Sequence, residues 1–226
     1  LAAHGLPSLV TVALTLVGGT LAAGSANTLN CYLDRDIDVV MHRTANRPLA
    51  TGQITPRNAV VFGVVLGALA VGLLAATVNV LSAALALAAI LFYVFGYTML
   101  LKRRTPQNIV WGGAAGCMPV LIGWAAVTDS VTVEGLLLFF IVFYWQPPHF
   151  WALALALEED YREAGIPMMP VVLGERVTKM QTVAYALLTL CVTLMFGSAA
   201  ALGALYFVVA IVGGLGFTWF SIRMYR

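Results

Sequence analysis

The segment Asn30-Cys31-Tyr32-Leu33-Asp34-Arg35-Asp36-Ile37-Asp38 decides how this chain folds, because it ends a long apolar run with a dense group of charges. The run covers about residues 6–26, close to the roughly 20 residues that a membrane-spanning helix needs. If the helix continues through the segment, Asn30, Asp34 and Asp38 share one face, about 6 Å apart per step. Carboxylates this close repel one another unless a cation lies between them. The segment therefore predicts a helix end that carries a hard-cation site.

The rest of the chain repeats the apolar pattern. Hydrophobic residues make up 61% of the sequence and charged residues only 10%, and the mean hydropathy of +0.93 lies outside the range of soluble proteins. A soluble helical core would need polar faces, which these segments lack. We predict one all-α integral membrane domain over residues 1–226, embedded in the lipid bilayer and without a nucleic-acid partner. Its seven predicted spans are 6–26, 59–78, 81–101, 109–127, 133–157, 182–200 and 202–222.

The basic residues predict the orientation of these spans. All 12 Lys and Arg residues lie in every second connection or in the tail, at 35–57, 102–104 and 162–179 and at Arg223 and Arg226. The alternate connections contain none. By the positive-inside rule the charged loops are cytoplasmic and Leu1 starts outside, in what we expect to be a bacterial cell (inner) membrane. Eight of the ten acidic residues fall on the same side, either as a solvated rim or as part of a site.

The first cluster of polar residues comprises Asn27, Asn30, Asp34, Asp38, Arg43 and Arg47. Oxygen-only ligands suit Mg²⁺, which often bridges carboxylates to a substrate phosphate. Arg43 and Arg47 can hold that phosphate through bidentate hydrogen bonds. Asn27 lies at membrane depth, where an amide is a functional candidate by default. Asp36 and Arg35 point away from Asp34, so we expect them to be solvated or structural.

The second cluster is Lys102-Arg103-Arg104-Thr105-Pro106-Gln107-Asn108. One interpretation is an ordinary basic loop that anchors a span on the cytoplasmic side. The other is that Lys102 and Arg103 contact a ligand, because a diphosphate needs more positive charge than one Mg²⁺ supplies. Asn108 would then direct its amide across the mouth of the bundle.

The third cluster begins with Gln146-Pro147-Pro148-His149-Phe150-Trp151. Two consecutive prolines inside a span predict a break or kink, which is tolerated where the segment lines a cavity. His149 is then either a satisfied core residue or a ligand contact. Asp160 can provide a second carboxylate pole that faces Asp34 and Asp38 across the bundle.

Together these clusters resemble the UbiA superfamily of membrane prenyltransferases, and within it most of all the protohaem IX farnesyltransferase, or haem O synthase, family. The matching motifs are Asn27-x-x-Asn30-Cys31-Tyr32-x-Asp34-Arg35-Asp36-Ile37-Asp38, Met41-x-Arg43-Thr44-x-x-Arg47-Pro48-Leu49, Leu101-Lys102-Arg103-x-Thr105-x-x-Asn108, Pro147-Pro148-His149-Phe150-Trp151 and Asp160-Tyr161-Arg162-x-Ala164-Gly165-Ile166-Pro167-Met168-x-Pro170.

The resemblance implies a UbiA-type transmembrane helix bundle with cytoplasmic cap loops over a cavity that opens laterally to lipid. The family bundle is larger than seven spans, so its first and last helices are expected to be missing from this chain. Many superfamily members also carry a second DxxxD motif, but the position four residues beyond Asp160 is Ala164. Either Asp160 alone or Asp160 with Glu159 would then bind metal on the side opposite Asp34 and Asp38.

The implied reaction is a Mg²⁺-dependent transfer of the farnesyl group of farnesyl diphosphate to a vinyl group of haem B, with addition of water. The implied catalytic and metal residues are Asn30, Asp34, Asp38 and Asp160. The implied substrate-binding residues are Asn27, Arg43, Arg47, Lys102, Arg103, Asn108, His149 and Arg162. Handover of the product to a haem A synthase or a terminal oxidase is also implied.

Other functions remain open at this point. Another UbiA-type enzyme would share the metal site and differ in its aromatic or tetrapyrrole acceptor. A secondary transporter would place its polar groups near the bilayer midplane rather than at one face. A non-enzymatic haem-binding protein would not need the row Asn30, Asp34 and Asp38.

Overall fold

The computed structural model describes residues 5–225, with the side chain of Tyr225 excepted. Every regular element in this part of the chain is helical, which confirms the all-α prediction. Seven segments are long and apolar enough to cross a membrane, and the third of them joins α4 to a π-helical segment. The elements are α1 (Leu9–Leu33), α2 (Arg35–Asp38), α3 (Pro56–Thr77), α4 (Val80–Leu91), the π-helical segment (Phe92–Leu101), α5 (Asn108–Thr128), α6 (Val133–Ala156), α7 (Glu158–Glu163), α8 (Met169–Ala199) and α9 (Ala204–Tyr225).

Helix α8 begins well before the predicted span at 182–200. The charges of Glu175, Arg176 and Lys179 make its first part too polar to read as a membrane segment. The structure keeps that part helical, with a kink at Gly174, where φ is +81° and ψ is 167°. Lys179 and Glu175 form an i, i+4 ion pair of 2.6 Å on this stretch. The helix therefore extends beyond the apolar region at its charged end.

The two prolines do not end α6, although their sequence predicted a break or kink. The helix is assigned without interruption from Val133 to Ala156, and Pro147 and Pro148 are both buried inside it. Neither proline lines the two cavities described below. Packing holds the segment: α6 lies against α5 and α8, and Trp151 makes an edge-to-face contact with Tyr185 of α8 at 5.4 Å. These contacts hold the segment around the prolines in place.

The membrane helices pack in an order that follows the chain. Helix α1 lies against α3, α3 against α4, α4 against α5, α5 against α6, α6 against α8 and α8 against α9, while α1 also contacts α4, the π-helical segment and α5. Small residues allow the close approaches, as between membrane helices generally. If Gly18 of α1 carried a Cβ atom, that atom would lie only 2.6 Å from the Leu74 side chain of α3. At Gly112 of α5 a Cβ would lie 2.1 Å from the Tyr97 ring, so neither position has room for a larger residue without a shift.

The charged connections converge on one end of the bundle, and we call residues 35–55, 102–107 and 157–168 the cap. A buried cluster joins the cap to the ends of α5, α6 and α8 through Ile37, Met41, Ile109, Trp151, Tyr161 and Met168, among others. Leu1 and Arg226, to which the predicted orientation also refers, lie outside the described residues. The cap is therefore a packed layer, and it holds the polar side chains in fixed positions.

Candidate functional site

Asp34 lies at the junction between the membrane and the cap. Helix α1 ends at Leu33, Asp34 has φ −94° and ψ 5°, and α2 begins at the next residue. The helix therefore does not continue without interruption through the segment. The hydrogen bond from Asp38 N to Asp34 O, at 2.8 Å, still carries the chain on in nearly helical form. As a result Asn30, Asp34 and Asp38 are all buried, with 6%, 0% and 2% exposure.

The carboxylate of Asp34 is held by groups from two membrane segments. Its Oδ2 accepts a hydrogen bond of 2.8 Å from Asn30 Nδ2 and forms an ion pair with Lys102 Nζ. Its Oδ1 lies 3.6 Å from Arg103 Nη2 and has no hydrogen-bond partner among the described residues. A fully buried carboxylate costs several kcal/mol unless it is paired. Lys102 supplies the required positive charge, and the Oδ1 atom of Asp34 remains able to bind a further cation.

Asp38 has its own basic partner in the cap. Arg47 Nη1 donates to both carboxylate oxygens of Asp38 at 2.9 Å, and Thr44 Oγ1 donates to the Asp38 carbonyl at 3.2 Å. Burial alone would lower the pKa of Arg47, but its hydrogen bond and charge interaction with Asp38 outweigh burial and raise that pKa. The repulsion expected between Asp34 and Asp38 is thus offset by two different cations of the chain itself.

Arg103 binds on the outer side of the same segment. Its guanidinium donates to both oxygens of Asp36 at 2.8 Å and to the Leu33 carbonyl at 3.0 Å. The hydrogen bond from Arg103 holds the pKa of Asp36 at about 2, below its usual 3.8. The side chain of Asp36 is 61% exposed, so this pair contributes roughly 0–1 kcal/mol to stability. Asp36 is exposed, as its position in the sequence indicated, and Arg103 Nη2 lies between it and the buried Asp34.

Two cavities meet at Asn27. The first, of about 510 Å³, lies between α1, the third span and α5 and is almost entirely apolar; from Asn27 it extends along α1 to Thr15. The second, of about 580 Å³, lies between α1, α3 and the loop after α2, and Arg47 and Asn58 line it together with Phe62. Both volumes are typical of ligand pockets. The predicted functional residue Asn27 therefore lies in the wall of two cavities.

Asp160 lies on the short helix α7 in the cap. Its carboxylate clusters with His42 and Glu163, the three ligand atoms lying within 4.8 Å of one another, and no such cluster joins it to Asp34 and Asp38 among residues 5–225. Helix α7 thus contacts the loop after α2 through Asp160 and Glu163. His42 and Glu163 are exposed, and this contact alone does not define a metal site.

Two other predicted contacts belong to the cap's own structure. Arg162 pairs with Glu158 and Glu159 on the exposed side of α7, so neither it nor Glu159 faces the buried carboxylates. Asn108 is fully buried, and its Nδ2 donates to the carbonyls of Thr105 at 2.8 Å and Pro167 at 3.3 Å. We predicted that Asn108 faces the mouth of the bundle; instead it ties two cap loops together.

The remaining predicted residues lie at separate places around the bundle end. Arg43 contacts Tyr161 of α7 rather than Asp38. Burial raises the pKa of Tyr161, and the Arg43 guanidinium opposes that rise. His149 is exposed on α6 and stacks on Trp145 one turn earlier, with ring centroids 4.7 Å apart and planes 13° apart. The histidine is thus accessible to a planar ligand.

Thr98 is a site residue that the sequence did not reveal. It is 1% exposed, and its hydroxyl oxygen accepts a hydrogen bond of 3.1 Å from Asn30 Nδ2. In the sequence it is a threonine in an apolar span, four residues before Lys102. Such residues usually bond only to their own helix, so nothing in the local pattern singled it out.

Comparison with known proteins places the chain in a family. The UbiA prenyltransferase family matches residues 1–226. A protohaem IX farnesyltransferase of Kineococcus radiotolerans is 53% identical over 225 residues, which is 100% of this chain and 66% of the relative. One of Clavibacter michiganensis subsp. michiganensis is 52% identical and is covered to 74%. The chain thus spans about two thirds to three quarters of the length of these relatives.

Solved structures share the fold. A UbiA homolog from Archaeoglobus fulgidus bound to DMAPP and Mg²⁺ superposes with a TM-score of 0.73 and 18% identity over 99% of this chain and 78% of its own. The apo structure of a UbiA homolog from Aeropyrum pernix K1 gives 0.75 and 21%, over 99% and 87%. The chain belongs to the UbiA prenyltransferase family, and the curated relatives named above, which match it along its length, are protohaem IX farnesyltransferases.

Proposed function

We propose that this chain belongs to a haem O synthase, which transfers a farnesyl group from farnesyl diphosphate to a vinyl group of haem B. The observation that carries the proposal is the buried row Asn30, Asp34 and Asp38, neutralised by Lys102 and Arg47 near the end of an apolar cavity. Identity of about 50% to protohaem IX farnesyltransferases supports the choice of substrates.

The donor set of this row fits Mg²⁺. Only oxygen ligands are available from Asn30, Asp34 and Asp38, as a hard cation prefers. The buried Oδ1 of Asp34 has no hydrogen-bond partner in the described part of the chain, so it can accept a cation without losing a protein contact. When bound there, Mg²⁺ would act as a Lewis acid on the leaving diphosphate.

The diphosphate would be held by the cations that now neutralise the carboxylates. Lys102 and Arg47 each bond to a buried aspartate, and Arg103 lies within 3.6 Å of Asp34. A metal and a diphosphate can enter together if the carboxylates turn to the metal and the cations to the phosphate. This exchange keeps every buried charge paired, whereas either ligand alone would leave one charge uncompensated.

The reaction is a substitution at an allylic carbon. The bond between that carbon and the diphosphate oxygen breaks, and its electron pair leaves with the diphosphate. A vinyl carbon of haem B bonds to the allylic carbon, water adds to the resulting cation, and a proton is released, giving haem O. Preorganised cations such as Lys102 stabilise the negative charge that develops on the leaving group.

The apolar cavity suits the farnesyl tail. It extends along α1 from Asn27, one turn from Asn30, to Thr15, a length of about 18 Å at 1.5 Å per residue. Apart from Asn27, its polar lining consists of isolated hydroxyl groups on Thr15, Thr20 and Tyr93. Burial of an apolar tail there is favourable, and it keeps water from the allylic carbon until the acceptor has reacted.

His149 and Trp145 provide a surface for the acceptor. Their stacked rings are exposed on α6, and stacked aromatic rings favour a planar macrocycle. We propose that His149 contacts haem B. A different aromatic or tetrapyrrole acceptor is the competing function, because only this part of the site would change.

We place the cap on the cytoplasmic side of a bacterial cell membrane, because the basic loops gather there. The product would then pass to a haem A synthase or a terminal oxidase.

Product analysis tests the function. We expect the purified protein, incubated with farnesyl diphosphate, Mg²⁺ and haem B, to give haem O with one farnesyl group and one added water by mass spectrometry. An intact protein that farnesylates another aromatic compound but not haem would instead identify the competing function.

Charge removal tests the row of carboxylates. Asp34→Asn and Asp38→Asn should each lower farnesyl transfer by at least about 100-fold, within the range for lost catalytic electrostatics. Asp36→Asn is the matched control, since it removes an equal charge from the same segment on the exposed side, and it should retain nearly full activity. Equal losses in all three variants would contradict the assignment.

If Lys102 and Arg47 move from the carboxylates to the diphosphate, metal and diphosphate should bind cooperatively. Inorganic diphosphate should tighten Mn²⁺ binding by roughly 5- to 150-fold, measured by electron paramagnetic resonance on the detergent-purified protein. In Lys102→Met, Mn²⁺ alone should bind more tightly and the coupling should shrink, because Asp34 is released. Arg104→Met, an exposed basic neighbour, is the control. Unchanged Mn²⁺ affinity and coupling in a folded Lys102→Met protein would refute the exchange.

The acceptor surface is tested separately. His149→Ala should weaken haem B binding, followed by its absorption spectrum, while diphosphate binding stays unchanged. If the haem spectrum and affinity are unaltered, His149 does not contact haem.

A further inference from the structure

The third span changes from α-helix to π-helix as it approaches the site. The π-helical segment Phe92–Leu101 follows α4 directly, and the bond from Lys102 N to Tyr97 O, five residues back, continues this pattern at 2.8 Å. π-Helical turns are rare and frequently occur at functional sites. Thr98 lies in this segment, and its hydroxyl also donates five residues back, to Tyr93 O at 2.9 Å.

Two contacts join the end of the third span to the end of α1 in the same order. Thr98 contacts Asn30, and Lys102, four residues later, contacts Asp34, which is four residues after Asn30. The π-helical segment therefore presents a neutral acceptor, and Lys102 directly after it a cation, to the row of proposed metal ligands. Lys102 is part of the function proposed above, whereas Thr98 has no role in it.

The hydrogen bonds of Thr98 determine how the Asn30 amide is oriented. A threonine hydroxyl has one hydrogen, and the Tyr93 carbonyl takes it, so the oxygen can only accept from Asn30. The amide nitrogen of Asn30 donates to Thr98 at 3.1 Å and to Asp34 at 2.8 Å. Both amide hydrogens are thereby used, and the carbonyl oxygen of Asn30 is left without a protein partner among the described residues.

We propose that Thr98 is a positioning residue, which holds the Asn30 side chain so that its carbonyl oxygen, and not its nitrogen, faces the bound metal. This inference rests on the proposed metal site at Asn30, Asp34 and Asp38. When Asp34 turns to the metal, its bond to Asn30 is lost or weakened. Thr98 then remains as the group that keeps the amide from rotating, because it is fixed by the backbone of the third span.

A buried threonine often has no role beyond bonding to its own helix, and this chain contains such residues. Thr182 is 1% exposed, and its hydroxyl donates to the Thr178 carbonyl at 2.9 Å, with no hydrogen bond to another helix within residues 5–225. Thr98 differs in accepting a side-chain amide from α1. The two residues are equally buried and each donates to its own helix, and only Thr98 also accepts a bond from another helix among the described residues.

Metal affinity in the absence of any prenyl substrate tests the proposal. Thr98→Val keeps the shape of the side chain and removes the acceptor. We expect it to weaken Mn²⁺ binding about 10- to 100-fold, the usual effect of removing a partner of a metal ligand. Thr98→Ser should restore the wild-type affinity, and Thr182→Val should leave it unchanged. In the transfer reaction, Thr98→Val should raise the Mg²⁺ concentration needed for half-maximal rate more than it lowers kcat.

Size-exclusion chromatography will show whether each variant is folded, and Thr98→Ala replaces Thr98→Val if the valine is not tolerated. Wild-type Mn²⁺ affinity in Thr98→Val, or equal losses in Thr98→Val and Thr98→Ser, would overturn the role of Thr98. If Asp34→Asn and Asp38→Asn also leave Mn²⁺ binding unchanged, the metal site itself is wrong. If those two variants lose the metal while Thr98→Val keeps it, only the inference about Thr98 fails.

Discussion

The ion pair between Asp34 and Lys102 is the contact on which the site depends. Asp34 is completely buried, and removing one partner from a buried pair typically costs 3–5 kcal/mol. This contact fixes the end of α1 against the end of the third span, and the Asn30–Thr98 hydrogen bond one turn below reinforces it. Two membrane helices are thereby held in one register at the depth where the apolar cavity ends.

The same contact explains how a site for a dication and a polyanion can be stable before either arrives. Each buried carboxylate already has a basic partner from the chain, Lys102 for Asp34 and Arg47 for Asp38. These partners are long, flexible side chains, which can move to a phosphate without a change in the backbone. The internal pairs keep the buried carboxylates neutralised, and in the proposed function the substrate and metal together replace these pairs.

The sequence pattern predicted the features that depend on neighbouring residues, namely the spans and the polar row at the end of α1. Hydropathy and loop charge gave the seven spans, and the spacing of Asn30, Asp34 and Asp38 gave the buried row. What the local pattern did not predict are contacts between distant segments. Asp160 lies beside His42 and Glu163, and no local signal indicates which loop a short helix such as α7 meets. A π-helical segment has no recognised sequence pattern, so Thr98 could be identified only after the spans were placed side by side.

The location of the metal tests the account most directly. Crystals of the protein with Mn²⁺ and an unreactive thio analogue of farnesyl diphosphate, measured at the manganese absorption edge, would give it independently of activity. We predict anomalous density bounded by Asn30, Asp34 and Asp38, with Lys102 moved from Asp34 to the diphosphate. Density at His42 and Asp160 alone, with the Lys102–Asp34 ion pair intact, would contradict the account.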